Sequence, residues 1–267
     1  MSGNREYKND VFCMLMEEPE HALSVYNALN GSDYKDPSVV EILKLESGVQ
    51  LSIRNDASFL IDNYLNLYEH QSRPNPNMPL RFLIYVTELF QSIIKNRDLF
   101  STRLLKIPTP RFIVFYNGAE ERQEIEYLKL SDAFEHPMEM PELELTCKVY
   151  NINRGNNENL LKKCNVLDEY ATFVERVRFY EGQYPLSAAL DRAIESCIAD
   201  NVLRKFLREH RGEVKRVMTL DYTFERRLQL AKEENQEILE QLAEEKAQLK
   251  NEKVQLSNKN AQLSSKN

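Results

Sequence analysis

Three polar residues, Asp56, Glu69 and Gln71, have the types and the spacing of a small hydrolytic or metal-binding site. They flank a stretch, ASFLIDNYLNLY, that is rich in apolar residues on both sides of Asp62 and Asn63. Because both of these residues tolerate the positive φ angles of a two-residue turn, the pattern predicts a β-hairpin. Counting outward from that turn places Asp56 directly opposite Glu69, with Cβ atoms roughly 4.5 to 5.5 Å apart.

Like charges that face each other across a hairpin destabilise it, unless something positive lies between them. A divalent cation such as Mg²⁺ or Mn²⁺ fits, because these ions take one or two carboxylates and complete their shell with water and phosphate. Gln71 shares a face with Glu69, whereas His70 points to the other face and is predicted to be structural. The same residues also fit a strand start and a solvated strand end, so spacing alone leaves both readings open.

The rest of the chain predicts an α/β domain with a helical C-terminal part. Strands are expected around Ile42 and Leu43 and around Leu51 and Ile53, which with the hairpin make a meander of about three strands. A continuous apolar run predicts a strand that is buried on both faces. That run is at 112–116, and apolar residues that alternate predict a further strand at 143–149. Apolar residues at helical spacing predict helices at 9–29, 80–100, 158–181 and 186–218.

Composition limits the class of protein. The chain has 267 residues, of which 42% are hydrophobic, so it can fill a sizeable core. Its formal net charge of -7 argues mildly against binding to nucleic acid except at a local basic patch. The four cysteines include no CxxC pair, which favours reduced packing thiols over a disulfide or zinc framework. No apolar signal core or membrane span is visible, so a cytoplasmic location is expected.

The C-terminal segment predicts a long helix. Leucines recur every seven residues, at Leu242, Leu249, Leu256 and Leu263, and no glycine or proline follows Gly212. The second set of seam positions is Leu239, Lys246, Lys253 and Asn260, and of these only Leu239 is apolar. The segment therefore predicts either a weak, register-specifying coiled coil that joins copies of the chain or a solvated charged helix.

A resemblance to a known family is carried by three stretches, NDASFLIDNYLNLYEHQSRPNPNMPLRFLIYV, FIVFYNGAEE and CIADNVLRKFLREHRGEV. Together they resemble the Rpn family of recombination-promoting nucleases, also called YhgA-like or transposase-like proteins, within the PD-(D/E)XK nuclease superfamily. The resemblance runs from about Asp10 to about Arg216 and is most specific at EHQS and at the downstream Met78, Pro79, Arg81 and Tyr85. It implies a restriction-endonuclease-like α/β core with a mixed central sheet flanked by helices.

The resemblance assigns catalytic roles to Asp56, Glu69 and Gln71, because the superfamily places a metal-binding Asp on one strand and an E-x-K or E-x-Q element on the next. Asp56 and Glu69 would hold Mg²⁺, or Mn²⁺ in its place, for hydrolysis of a phosphodiester. Asp10 would add a metal contact or cap the first helix. Many members of the superfamily carry Lys at the position of Gln71. Since glutamine is neither a cation nor a general base, weak or lost activity stays open.

DNA is the partner that the resemblance implies. Phosphate contacts are expected from Arg81, Arg103 and Lys106 or from a basic run that comprises Arg204, Lys205, Arg208, Arg211, Lys215 and Arg216. A solvated helix face explains the same run. No base-reading motif is visible, so weak sequence specificity is expected.

The sequence thus predicts a nuclease-like domain over 1–155, a helical region over 156–220 and a long helix over 221–267. Two functions are open. The first is a Mg²⁺-dependent DNA endonuclease that acts in recombination, mobile-element biology or defence. The second is a catalytically inactive protein with a nuclease fold that assembles through its tail.

Overall fold

The computed structural model describes residues 11–43, 56–94 and 99–219, together with Gln236, Lys246 and Lys250. The chain divides into two compact units, Met1–Met218 and Thr219–Asn267. The described residues of the second unit, Thr219, Gln236, Lys246 and Lys250, are helical and exposed. Asp10, the predicted strand at Leu51 and Ile53, and the leucine seam lie outside the described residues.

Six strands form one mixed sheet in the first unit. They are β1 (Glu41–Ile42), β2 (Ala57–Ile61), β3 (Tyr64–Gln71), β4 (Thr109–Tyr116), β5 (Ile125–Lys129) and β6 (Thr146–Asn151). Their order across the sheet is β1-β2-β3-β4-β6-β5. The strands β3, β4 and β6 run parallel, while β1, β2 and β5 pair antiparallel with their neighbours. The α/β class and the mixed central sheet are therefore confirmed.

The hairpin of β2 and β3 has the predicted register. Ile61 pairs with Tyr64, and the turn residues Asp62 and Asn63 have φ angles of 49° and 63°. These positive angles match the right-handed twist of the two strands, which is why a two-residue turn of this composition closes them tightly. The pairing continues outward to Ala57 and Tyr68.

Helices cover both faces of the sheet. They are α1 (Val11–Met16), α2 (Pro19–Asn30), α3 (Met78–Ile94), α4 (Glu158–Lys163), α5 (Asn165–Glu181), α6 (Leu186–Ala199) and α7 (Arg204–Glu209), and residues 211–219 are also helical. On one face, Phe82 and Tyr85 of α3 join a buried cluster with Leu67 and Val114. On the other face, the ring of Phe12 of α1 packs against that of Phe115 at a tilt of 47°. The site strand β3 is thus packed from both sides.

The sequence misses one strand, and two of the long helices that it predicts are broken in the structure. β5 was not predicted, because its residues alternate between exposed and half-buried and give only a weak apolar signal. The predicted helix 158–181 is two helices, since the backbone is extended at Cys164. The predicted helix 186–218 is broken beyond Ala199, where Asn201 and Leu203 adopt positive φ angles. The expected interruption at Pro19 and the stop at Gly31, whose φ is 66°, are confirmed.

No helix in the described part of the chain is long and apolar enough to cross a membrane.

Candidate functional site

Asp56 and Glu69 are brought together as the hairpin register requires. Asp56 directly precedes β2, and its backbone N–H donates to Oε1 of Glu69 over 3.3 Å. In the opposite direction, the backbone N–H of His70 donates to Oδ2 of Asp56 over 2.6 Å. Two acidic residues that are 13 positions apart in the chain therefore face each other across the hairpin.

The positive group beside the two acids is a guanidinium. Arg81, in the first turn of α3, donates from Nη2 to Oε2 of Glu69 over 3.0 Å. The same guanidinium donates to the Tyr85 hydroxyl from Nε over 2.9 Å and from Nη2 over 2.7 Å. Because Arg81 and Tyr85 are four residues apart on one helix, they lie on the same face and the tyrosine helps to orient the arginine.

Gln71 completes the group, because its Nε2 donates to Oε2 of Glu69 over 3.3 Å. Both oxygens of Glu69 are therefore occupied by donors. Its carboxylate is fully buried, whereas the Arg81 side chain is 28% exposed. The predicted convergence of Asp56, Glu69 and Gln71 is found, with Arg81 and Tyr85 added to it.

The electrostatics of the site favour a neutralised Glu69. Burial raises the pKa of Glu69 well above its ordinary value, and the nearby Asp56 carboxylate raises it further. Arg81, the Asp56 N–H and Gln71 oppose that shift without cancelling it. Burial also lowers the pKa of Arg81, but the Glu69 carboxylate, Tyr85 and Asp56 together outweigh this and hold it above the ordinary value. The site therefore gains free energy from binding a proton or a cation next to Glu69.

His70 faces away from this group, as predicted. Its ring stacks on Phe12 with centroids 5.7 Å apart, and its Nε2 lies 3.2 Å from the hydroxyl of Tyr170 in α5. His70 thus packs β3 against the helices of the other face, which is a structural role.

A cavity of about 190 Å³ lies beside the site, at the ends of the three parallel strands. Gln71, Tyr116 and Asn151, which are the last residues of β3, β4 and β6, all line it. Ligands in open α/β sheets bind outside the carboxyl ends of the strands, so the cavity has the position of a binding cleft. Met78 also lines it, and its Sδ lies 3.4 Å from Nη1 of Arg81.

The basic run that was predicted to contact phosphate is partly engaged within the protein. Arg211 and Lys215 both form ion pairs with Asp191, at 3.0 and 2.7 Å. Arg204 donates to the backbone carbonyls of Ile198 and Ala199. These contacts fasten α7 and the helical residues 211–219 to α6. Lys205, Arg208, Arg216, Arg103 and Lys106 are exposed.

Asp56 and Glu69 are the carboxylates of the site that could hold a metal ion. Among the residues that the structure describes, no group of three or more His, Cys, Asp and Glu side chains is placed to hold a metal ion. Mg²⁺ nevertheless commonly uses one or two carboxylates and completes its shell with water and phosphate oxygens. Asp56 and Glu69 fit that arrangement, and they do not fit a cage made of protein ligands alone.

The sequence singles out Arg81, but the structure gives it another partner than the expected one. Arg81 was predicted to contact phosphate directly, whereas the structure pairs it with Glu69. The i, i+4 spacing of Arg81 and Tyr85 was visible, but only the packing of α3 on β3 brings them to the acid.

No family model matches the sequence, and comparison with curated proteins and with solved structures gives no match. The resemblance to the Rpn nucleases therefore stays a prediction.

Proposed function

We propose that this protein is a metal-dependent DNA endonuclease that hydrolyses phosphodiester bonds, of the recombination-promoting type that the sequence resembles. The observation that carries the proposal is the buried Glu69 carboxylate, which faces Asp56 and lies 3.0 Å from the Arg81 guanidinium at the edge of a mixed sheet. An acid pair and a cation at one point match the demands of phosphate hydrolysis, in which negative charge must be bound and water activated.

Each residue has a role that follows from its contacts. Asp56 and Glu69 would hold Mg²⁺, whose chemistry is to neutralise phosphate charge and to lower the pKa of water. Arg81 supplies the positive charge that Gln71 lacks, beside the Glu69 carboxylate. Gln71 holds Glu69 in place and can orient a water molecule through its amide. Tyr85 fixes the direction of the arginine.

A second function is favoured by one feature of the same site. Arg81 and Gln71 already occupy Oε2 of Glu69, so the acid pair is neutralised in part without any metal. A nuclease fold whose acids serve only to stabilise the hairpin would explain this arrangement, and such a protein would act by assembly with other copies or partners.

Plasmid cleavage separates the two functions. We would incubate purified full-length protein with supercoiled plasmid and Mg²⁺, Mn²⁺ or EDTA, beside the variants Glu69→Gln and Asp56→Asn. The matched control is Asp62→Asn, because it makes the same chemical change in the turn of the same hairpin, where asparagine also tolerates the positive φ.

Metal-dependent nicking by the wild type and by Asp62→Asn, with a loss of about 100-fold or more in both site variants, is the result expected of the nuclease. Equal cleavage by Glu69→Gln would refute the site. No cleavage with either metal would favour the assembly function.

A further inference from the structure

The cavity beside the site has the dimensions of one small aromatic ring. Its volume is about 190 Å³. An engineered protein cavity of about 150 Å³ binds benzene, so this space has room for a planar ring. The size therefore suits one base that has left its pair.

The lining suits a planar group with apolar faces and a polar edge. Val114 and Tyr116, which are both buried, line it, and Leu128 and Val149 add apolar side chains to the lining. The exposed Gln123 lines the mouth and offers an amide that can donate and accept hydrogen bonds. Nucleobases have this combination of faces and edge, and they stack well on aromatic side chains.

Positive charge borders the cavity, which favours an anionic ligand. Arg73 and Arg122 both line it. Arg122 forms an ion pair with Glu126, which also lines the cavity, and its Nε donates to that carboxylate over 2.9 Å. The net positive charge of the lining is therefore that of Arg73, and a nucleotide that enters the cavity base first would keep its phosphates near this guanidinium.

The cavity and the acid pair share their boundary. Gln71 lines the cavity and donates to Glu69 over 3.3 Å, while Met78 lines it and contacts Arg81. A phosphate at the acid pair and a base in the cavity would thus belong to the same or to adjacent nucleotides. A base inside a duplex reaches such a pocket only after it leaves the stack.

We propose that this cavity receives the base of an unpaired nucleotide, so that the enzyme cuts DNA at unpaired or extruded positions rather than within regular duplex. The inference rests on the proposed nuclease function, and it names the substrate class of the same site. Thymidine is the probe chosen for the test, because its single ring fits a cavity of this size.

Cleavage is tested on three DNA duplexes that differ at one position, which is fully paired, carries one unpaired thymidine or carries an abasic residue. The blocking variant is Gln123→Trp, because Gln123 is an exposed lining residue and a larger side chain there closes the mouth without entering the core. The matched control is Gln91→Trp, which makes the same change at an exposed position of α3 that does not line the cavity. Binding of thymidine 5′-monophosphate to each protein is measured in parallel by calorimetry.

We expect the wild type and Gln91→Trp to cut beside the unpaired thymidine about tenfold faster or more than in the paired duplex, because the cost of extruding the base is absent. The abasic residue and Gln123→Trp should both remove this advantage, and Gln123→Trp should weaken nucleotide binding about tenfold or more. Metal-dependent cleavage that is equal on all three duplexes overturns the inference and leaves the proposed function standing.

The binding measurement keeps the two ideas separate. Absence of saturable nucleotide binding by the wild type overturns the inference, whatever the cleavage assay shows. Nucleotide binding that Gln123→Trp blocks, without cleavage of any duplex, supports the base pocket and refutes the nuclease.

Discussion

Replacement of Arg81 by methionine should destabilise the protein by an amount that grows with pH. The substitution keeps an unbranched side chain of similar length but removes the guanidinium. Glu69 then loses the donor 3.0 Å from its Oε2, and the Tyr85 hydroxyl loses two donors. Because Glu69 is fully buried, water does not take the place of the lost donor.

The magnitude follows from the number and kind of these bonds. A hydrogen bond to a charged group contributes about 1.5 to 3 kcal/mol, and a neutral one about 1 kcal/mol. Since the Arg81 side chain is 28% exposed, the pair is screened in part, and we expect a total loss of about 3 kcal/mol when Glu69 is ionised. When Glu69 is protonated, the ion pair with Arg81 is already absent, and the contact of the guanidinium with the Tyr85 hydroxyl is what is lost. Because its two donors share one hydroxyl oxygen, we count them as one bond, and the expected cost is about 1 kcal/mol.

The direction with pH follows from the raised pKa of Glu69. The folded protein binds a proton more readily than the unfolded chain does, so the contribution of Glu69 is present at low pH and is lost as pH rises through the folded pKa. Arg81 opposes the shift, so its removal raises that pKa further. The difference in the free energy of unfolding between wild type and Arg81→Met should therefore widen with pH. It should do so from the pKa of Glu69 in the folded wild type up to the higher pKa of Glu69 in the folded variant.

Urea denaturation of both proteins between about pH 5 and about pH 9 measures this difference. Arg178→Met is the matched control, because Arg178 donates to Asn117 and Asn153 and, within the described part of the chain, to no carboxylate, so its cost should stay constant with pH. In a Glu69→Gln background, Arg81→Met should cost about 1 kcal/mol at every pH. A pH-independent difference of the same size in both backgrounds would refute the coupling.

Three further predictions concern the fold. A Cβ on Gly118 would lie 2.3 Å from two oxygen atoms, so Gly118→Ala should lower the free energy of unfolding by about 2 kcal/mol in urea denaturation. The control Gly182→Ala should cost little, because the nearest atom to its Cβ is 3.6 Å away. Equal effects would contradict the packing. Asn63, with φ at 63°, should accept glycine but lose about 1 to 2 kcal/mol as Asn63→Val, and a fully stable valine variant would argue against the turn. Burial raises the pKa of Cys147 to about 12, so this thiol should resist a thiol reagent at pH 8 until the protein unfolds, and rapid labelling of the native protein would contradict its burial.

The hairpin and the acid pair could be predicted from sequence because they depend on local rules. A two-residue turn fixes the register, and the alternation of a strand then fixes which residues face each other. Asp56 and Glu69 lie opposite each other for that reason alone. His70 was assigned to the other face by the same alternation, and its contact with Tyr170 bears this out.

The remainder of the site could not be predicted, because it depends on packing between distant segments. Arg81 lies beside Glu69 only if α3 crosses β3 at one place and with one rotation about its own axis. The apolar spacing of α3 does not specify either. The cavity requires β4 and β6 to end level with β3, and β6 lies more than 70 residues further along the chain. Neither relation leaves a periodic signal in the sequence.

Five side chains of the site, those of Asp56, Glu69, Gln71, Arg81 and Tyr85, come from one uninterrupted segment of the chain. That segment, β2-β3-α3, ends at Ile94, before the exposed residues 99–104. A protease that cuts within 99–104 would therefore leave all five on the same fragment, while the strands that complete the cavity would lie on the other. Limited proteolysis followed by separation of the fragments would keep the acid pair with its arginine and would divide the lining of the cavity between the two fragments.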